Sequence, residues 1–141
     1  MHGHTLVELT FVLLLLGVAA ASVAPTARQA RDRAAVASAR EALVGLLVET
    51  RLAAIETGGA SVMIQAAPAR AEGSANGTTL RRLDLAADFG VRLALGAARP
   101  VVELRYDALG LGRVASQTIV LRRGSAAAQL VVSSYGRVRR R

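Results

Sequence analysis

Glu8 carries the only charged side chain between the N-terminus and Arg28, and it lies inside the apolar run from Leu6 to Ala24, shortly after Gly3. A carboxylate in such a setting needs a partner, because a charge left unpaired in a low-dielectric environment costs far more than a paired one. The nearest cation would be a backbone amine. A chain cut after Gly3, an unhindered scissile position, would begin at His4 and place that amine four residues from Glu8. The arrangement favours assembly from many identical N-termini, in which an acid of one subunit meets an amine of a neighbour.

The second chemical signal is the basic end, Gly136-Arg137-Val138-Arg139-Arg140-Arg141. Gly136 can turn the chain, and strand alternation then puts Arg137 and Arg139 on one side, where two guanidiniums grip successive phosphates. The competing reading is a solvated tail or a lipid-facing basic patch. If Arg137, Arg139, Arg140 and Arg141 each neutralise one duplex phosphate, log K falls against log salt with a slope near about −3.6.

Other constellations carry less. The two histidines, His2 and His4, sit at the N-terminus and there is no cysteine, so the rest of the chain holds no Ser-His-Asp triad and no thiolate metal site. Asp84 with Asp88, and Glu103 with Asp107, read as solvated charges on strand and turn rather than as acid–base or metal pairs. Gly110-Leu-Gly112 imitates part of a dinucleotide fingerprint, but a strand rather than a helix is expected after it and no acid follows Asp107. Neither a catalytic residue nor a cofactor is expected.

These groups need elements to hold them. Leu6 to Ala24 as a helix reaches about 28 Å, close to the roughly 30 Å of a bilayer core, so residues 4–25 are predicted to span a membrane. An ordinary signal peptide cut after Ser22-Val23-Ala24 is opposed by the missing basic n-region, by the acid in the run and by Pro25. From Thr26 to Thr57, Val36, Ala39, Leu43 and Leu47 recur at helical spacing, with Val44, Val48, Leu52 and Ile55 widening the stripe. Pro25 marks a kink or break between the two segments, and Gly58-Gly59 supplies the stop. Six β-like runs follow, at 61–65, 79–83, 91–95, 101–106, 118–122 and 129–134, with 66–77 read as a mobile loop containing a tight turn at Asn76-Gly77.

One modest domain plus a helical stem is what 141 residues allow. All 18 basic residues are arginine, which reads mainly as compositional bias. Their distribution is uneven, with thirteen arginines against five acids from Gly58 to Arg141. That surface attracts anions of any class.

Gly3-His4-Thr5-Leu6-Val7-Glu8-Leu9 resembles the prepilin motif of the type IV pilin-like proteins: a leader ending in Gly, an aromatic, then Thr-Leu-Ile-Glu-Leu and an apolar helix. Further along, the stem end Glu49-Thr-Arg51-Leu-Ala-Ala-Ile55-Glu-Thr-Gly-Gly59 and the closing Val131-Val132-Ser133-Ser134-Tyr135-Gly136-Arg137-Val138-Arg139 are similar to the GspH/FimT branch of minor pseudopilins. The resemblance implies an α+β, pilin-like fold. A long N-terminal helix, its first half transmembrane and its second an amphipathic stem, would pack on a C-terminal antiparallel β-sheet or sandwich. It implies a leader at 1–3, an anchor at 4–25, a stem at 26–58 and a periplasmic β domain at 59–141, held in the inner membrane by a single pass. Also implied are cleavage between Gly3 and His4 by a prepilin peptidase, N-methylation of His4, and Glu8 as the residue that sets subunit register. The implied function is that of a minor pseudopilin in a type II secretion pseudopilus, with other pseudopilins and secreted proteins as partners. The alternative is a FimT-like minor pilin that binds DNA in transformation through Arg137 and Arg139, the positions matching a Gly-Arg-x-Arg motif.

Overall fold

The computed structural model describes residues 5–113 and 116–140, the side chains of 20–25 excepted. One helix, α1 (Leu6–Thr57), is 52 residues long. Thr5 caps it, its hydroxyl oxygen accepting from the Glu8 N–H at 3.3 Å. Gly58, at φ 89°, ends it and donates its N–H to the Ala54 carbonyl at 2.9 Å. The helix runs on unbroken through Pro25, where a kink or a break was expected.

The expected membrane-spanning half, and with it the single-pass inner-membrane location, is overturned. Among the described residues no helix is long and apolar enough to cross a membrane. The apolar stretch with described side chains, residues 6–19, reaches about 21 Å, short of the roughly 30 Å that a bilayer core demands. Beyond Pro25 the helix carries Arg28, Arg31, Asp32 and Arg33.

The rest of the fold class stands: a long N-terminal helix packs on C-terminal antiparallel sheet. The strands are β1 (Gly59–Gln65), β2 (Arg70–Ala75), β3 (Thr78–Asp84), β4 (Arg92–Leu95), β5 (Val101–Asp107), β6 (Gln117–Arg123), β7 (Ala126–Val132) and β8 (Val138–Arg140), with a short helix α2 (Leu85–Phe89) between β3 and β4. They form two four-stranded sheets, the first in order β3-β2-β1-β5 and the second in order β4-β6-β7-β8. Each sheet turns one face to α1. Val36, Leu43 and Leu47 of the helix share one core with Val62 and Ile64 of the first sheet and Ile119 and Leu121 of the second.

The helix stripe differs from expectation at its end. Leu46, Thr50 and Ala54 complete the buried side, whereas Val48, Leu52 and Ile55 face outward. Thr50 satisfies its hydroxyl on the Leu46 carbonyl at 2.8 Å, and a Cβ at Gly73 would collide with it. That close approach explains why the expected loop at 66–77 contains strand β2. Its inward residues, Ala71, Gly73 and Ala75, must be small to let the helix lie against the sheet, and small residues read as a loop. The Asn76-Gly77 turn is present, both residues having positive φ, 49° and 76°, as a two-residue hairpin requires.

Candidate functional site

Two places gather the chemically suggestive residues. At the N-terminus, Gly3 and His4 lie outside the described residues. Glu8 occupies the third position of α1 and is exposed. Thr5-x-x-Glu8 is the sequence pattern of a capping box, a local signal that sequence reasoning had passed over, and an acid here also suits the positive end of the helix dipole. The next turns of helix are apolar on every side and uncovered: Leu6 is 79% exposed, Phe11 63% and Val18 62%.

At the C-terminus the candidate arginines divide. The turn between β7 and β8 is closed by Ser133, whose N–H donates to the Arg137 carbonyl at 2.8 Å and whose hydroxyl accepts from the Arg137 N–H at 3.1 Å. Gly136, at φ 77°, fits against the Tyr106 ring and the Gly112 backbone, where a side chain has no room. Alternation along β8 then sends Val138 and Arg140 toward the helix side. Arg140 bonds to Glu41 of α1 at 2.9 Å. Arg137 and Arg139 are exposed on the other side, and among the described residues neither forms an ion pair. Arg141 lies outside the described residues.

The acid pairs have structural work. Asp84 caps α2, accepting from the Ala87 N–H at 3.0 Å, and bonds Arg70 at 2.8 Å. These two contacts, the backbone N–H first, hold its pKa below the ordinary value. Asp107 accepts from the N–H groups of Leu109 and Leu111 and bonds Arg113 at 3.1 Å. The Leu111 N–H is the main cause of its lowered pKa. Glu103 is lowered chiefly by Arg105, 2.8 Å away. Burial pushes the Tyr106 hydroxyl up, with Arg51 pulling slightly the other way. The glycines at 110 and 112 build a turn, Gly112 bridging to Tyr106. Among the described residues no group of three or more His, Cys, Asp or Glu could hold a metal ion.

No family model matches the sequence, nor does any curated protein. Two solved structures share the fold. The type IV minor pilin FimU of Pseudomonas aeruginosa superposes with a TM-score of 0.57 at 20% identity, over 77% of this chain and 90% of that one. The minor pseudopilin EpsH from the type 2 secretion system of Vibrio cholerae gives 0.53 at 16% identity, over 74% and 93%. The fold is type IV pilin-like.

Proposed function

We propose that the chain is a minor pseudopilin of the GspH branch, a subunit of a type II secretion pseudopilus that supports protein export. It would be cut between Gly3 and His4 by a prepilin peptidase that also methylates the new terminus, and Glu8 would set register by pairing with the N-terminal amine of a neighbouring subunit. The observation that carries this reading is the uncovered apolar start of α1. No described side chain from residue 6 to 19 is buried, and a helix apolar on all sides is stable only when surrounded. Identical helices from adjacent subunits supply that cover. The test is Glu8→Ala: the variant should keep its folded β domain yet fail to enter filaments, and normal incorporation would refute the pairing. Mass spectrometry of the filament-borne subunit should find His4 first; an intact Met1 would exclude the cut.

A second reading, a FimT-like minor type IV pilin that binds DNA through Arg137 and Arg139, is favoured by one observation. Both guanidiniums stand exposed on the face turned away from α1 and form no ion pair among the described residues, in a sequence with no acid after Asp107. Replacing both with Gln should abolish DNA retention and leave protein secretion intact. Retention unchanged by that double substitution would dismiss it.

A further inference from the structure

Arg92 of β4 and Arg122 of β6 are register partners in the second sheet. Directly opposed residues of an antiparallel pair hold their Cβ atoms about 5 Å apart, and like charges so placed repel. Both side chains are exposed. Neither forms an ion pair among the described residues. With Gly124 they line an open depression of about 260 Å³. The acid beside Gly124, Asp32, is bonded to Arg123 at 3.0 Å, and the Arg123 side chain also donates to the Phe89 carbonyl. It is therefore committed to another arginine. Two cations held together, with no ion pair to either among the described residues, make a site for an anion from outside.

Alternation puts Arg92 and Arg122 on the same outer face as Arg139. Arg122 pairs with Ala127 of β7, and Arg139 pairs with Val131 four residues further along that strand. Two strand spacings and four residues of rise put Arg122 and Arg139 roughly 16 Å apart, diagonally across the sheet. The strands of this sheet contain no acid and no Phe, Tyr or Trp, while Thr118 and Gln129 offer hydrogen bonds between the two arginine corners.

We infer that a nucleic-acid duplex lays its phosphate backbone diagonally across the outer face of the second sheet, anchored at one corner by Arg92 and Arg122 and at the other by Arg137 and Arg139. This rests on the DNA-binding reading above and adds a second anchor to it. A single carboxylate is saturated by one guanidinium fork, so an isolated acidic side chain leaves one arginine of the Arg92–Arg122 pair uncompensated. A duplex, with one charge per about 1.7 Å of axis, meets both corners at once. The strands between the two corners offer no aromatic platform, and the one exposed ring beside them, Tyr135 in the turn before Arg137, is too little for a single strand, whose successive bases need surfaces to stack on. Arg140, engaged by Glu41, takes no part.

The test titrates the full chain against a short fluorescent duplex of random sequence at several salt concentrations. The unaltered chain should show a log–log slope near about −3.6, and Arg92→Gln with Arg122→Gln should halve it to about −1.8. Arg137→Gln with Arg139→Gln should do the same. Circular dichroism confirms folding of each variant, all four positions being exposed. If the first double variant keeps the full slope while the second halves it, the added anchor is overturned and the C-terminal reading survives. If the first halves it and the second does not, the C-terminal reading fails and the Arg92–Arg122 site stands alone. Absence of binding at low salt overturns both. Poly-glutamate that binds as tightly as the duplex, and loses affinity in the first double variant, assigns the face to acidic proteins and overturns the duplex.

Discussion

The two sheets are alike on the side that faces α1 and opposite on the side that faces away. Inward, each contributes an aliphatic row to one core. Outward, the first sheet matches its charges: Glu72 bonds Arg82 at 2.8 Å and Thr79 at 2.7 Å, Arg70 bonds Asp84, and Glu103 bonds Arg105. Arg82 and Thr79 hold the Glu72 pKa below its ordinary value. The second sheet has Arg92, Arg122, Arg137 and Arg139 and no acid in any strand. A fold needs only the inner faces, so a face that satisfies itself and a face that repels itself differ for reasons outside the core. The lesson is that net charge located the basic half of the chain, whereas only register located the unanswered charge.

The largest expected effect tests the shared side. Ile64→Ala in the first sheet and Ile119→Ala in the second remove fully buried side chains, and each should cost about 2–5 kcal/mol in denaturant unfolding. A loss confined to one sheet would mean that the two do not form one core. The outer faces should then respond with opposite sign. Arg122→Gln removes a like-charge pair and should raise stability by about 0.2–1 kcal/mol; Arg82→Gln leaves the half-buried Glu72 with Thr79 but without its cation and should lower the melting temperature slightly. Equal signs would break the contrast.

Acid sharpens it further. Glu72, Asp84, Glu103 and Asp107 all have folded pKa values below their ordinary ones. Their contribution is therefore complete above the usual carboxylate range of about 4 and is lost as pH falls through the folded values. The melting temperature should drop on acidification below that range, and Arg82→Gln should flatten the drop. The second sheet has no strand carboxylate to protonate. Smallest is the salt effect: added salt should erase the gain from Arg122→Gln, because exposed charges are screened within about 10 Å at 0.1 M.

Much of the local structure was legible in the sequence. Gly58-Gly59 marked the helix stop, Asn76-Gly77 the tight hairpin, and the alternation of Arg137 and Arg139 their common side. What escaped depended on distant partners. Strand β2 read as a loop because Ala71, Gly73 and Ala75 are small for the sake of a helix lying close against them. Val48, Leu52 and Ile55 fit the apolar period, yet the sheets cover only the neighbouring stripe. The opposition of Arg92 to Arg122 follows from a pairing of strands far apart in the chain, which no local pattern encodes. Thr5-x-x-Glu8, by contrast, was a readable cap signal masked by the stronger oddity of an acid in an apolar run. The apolar run itself suggested a membrane span, but the described part of it is too short.

The contrast between the faces can be read most directly by nuclear magnetic resonance of the arginine Nε–H groups while the full chain is titrated with duplex. The signals of Arg92, Arg122, Arg137 and Arg139 should shift together and those of Arg82 and Arg105 should stay in place. Equal movement of both sets, or movement of the first sheet's arginines alone, would contradict the account.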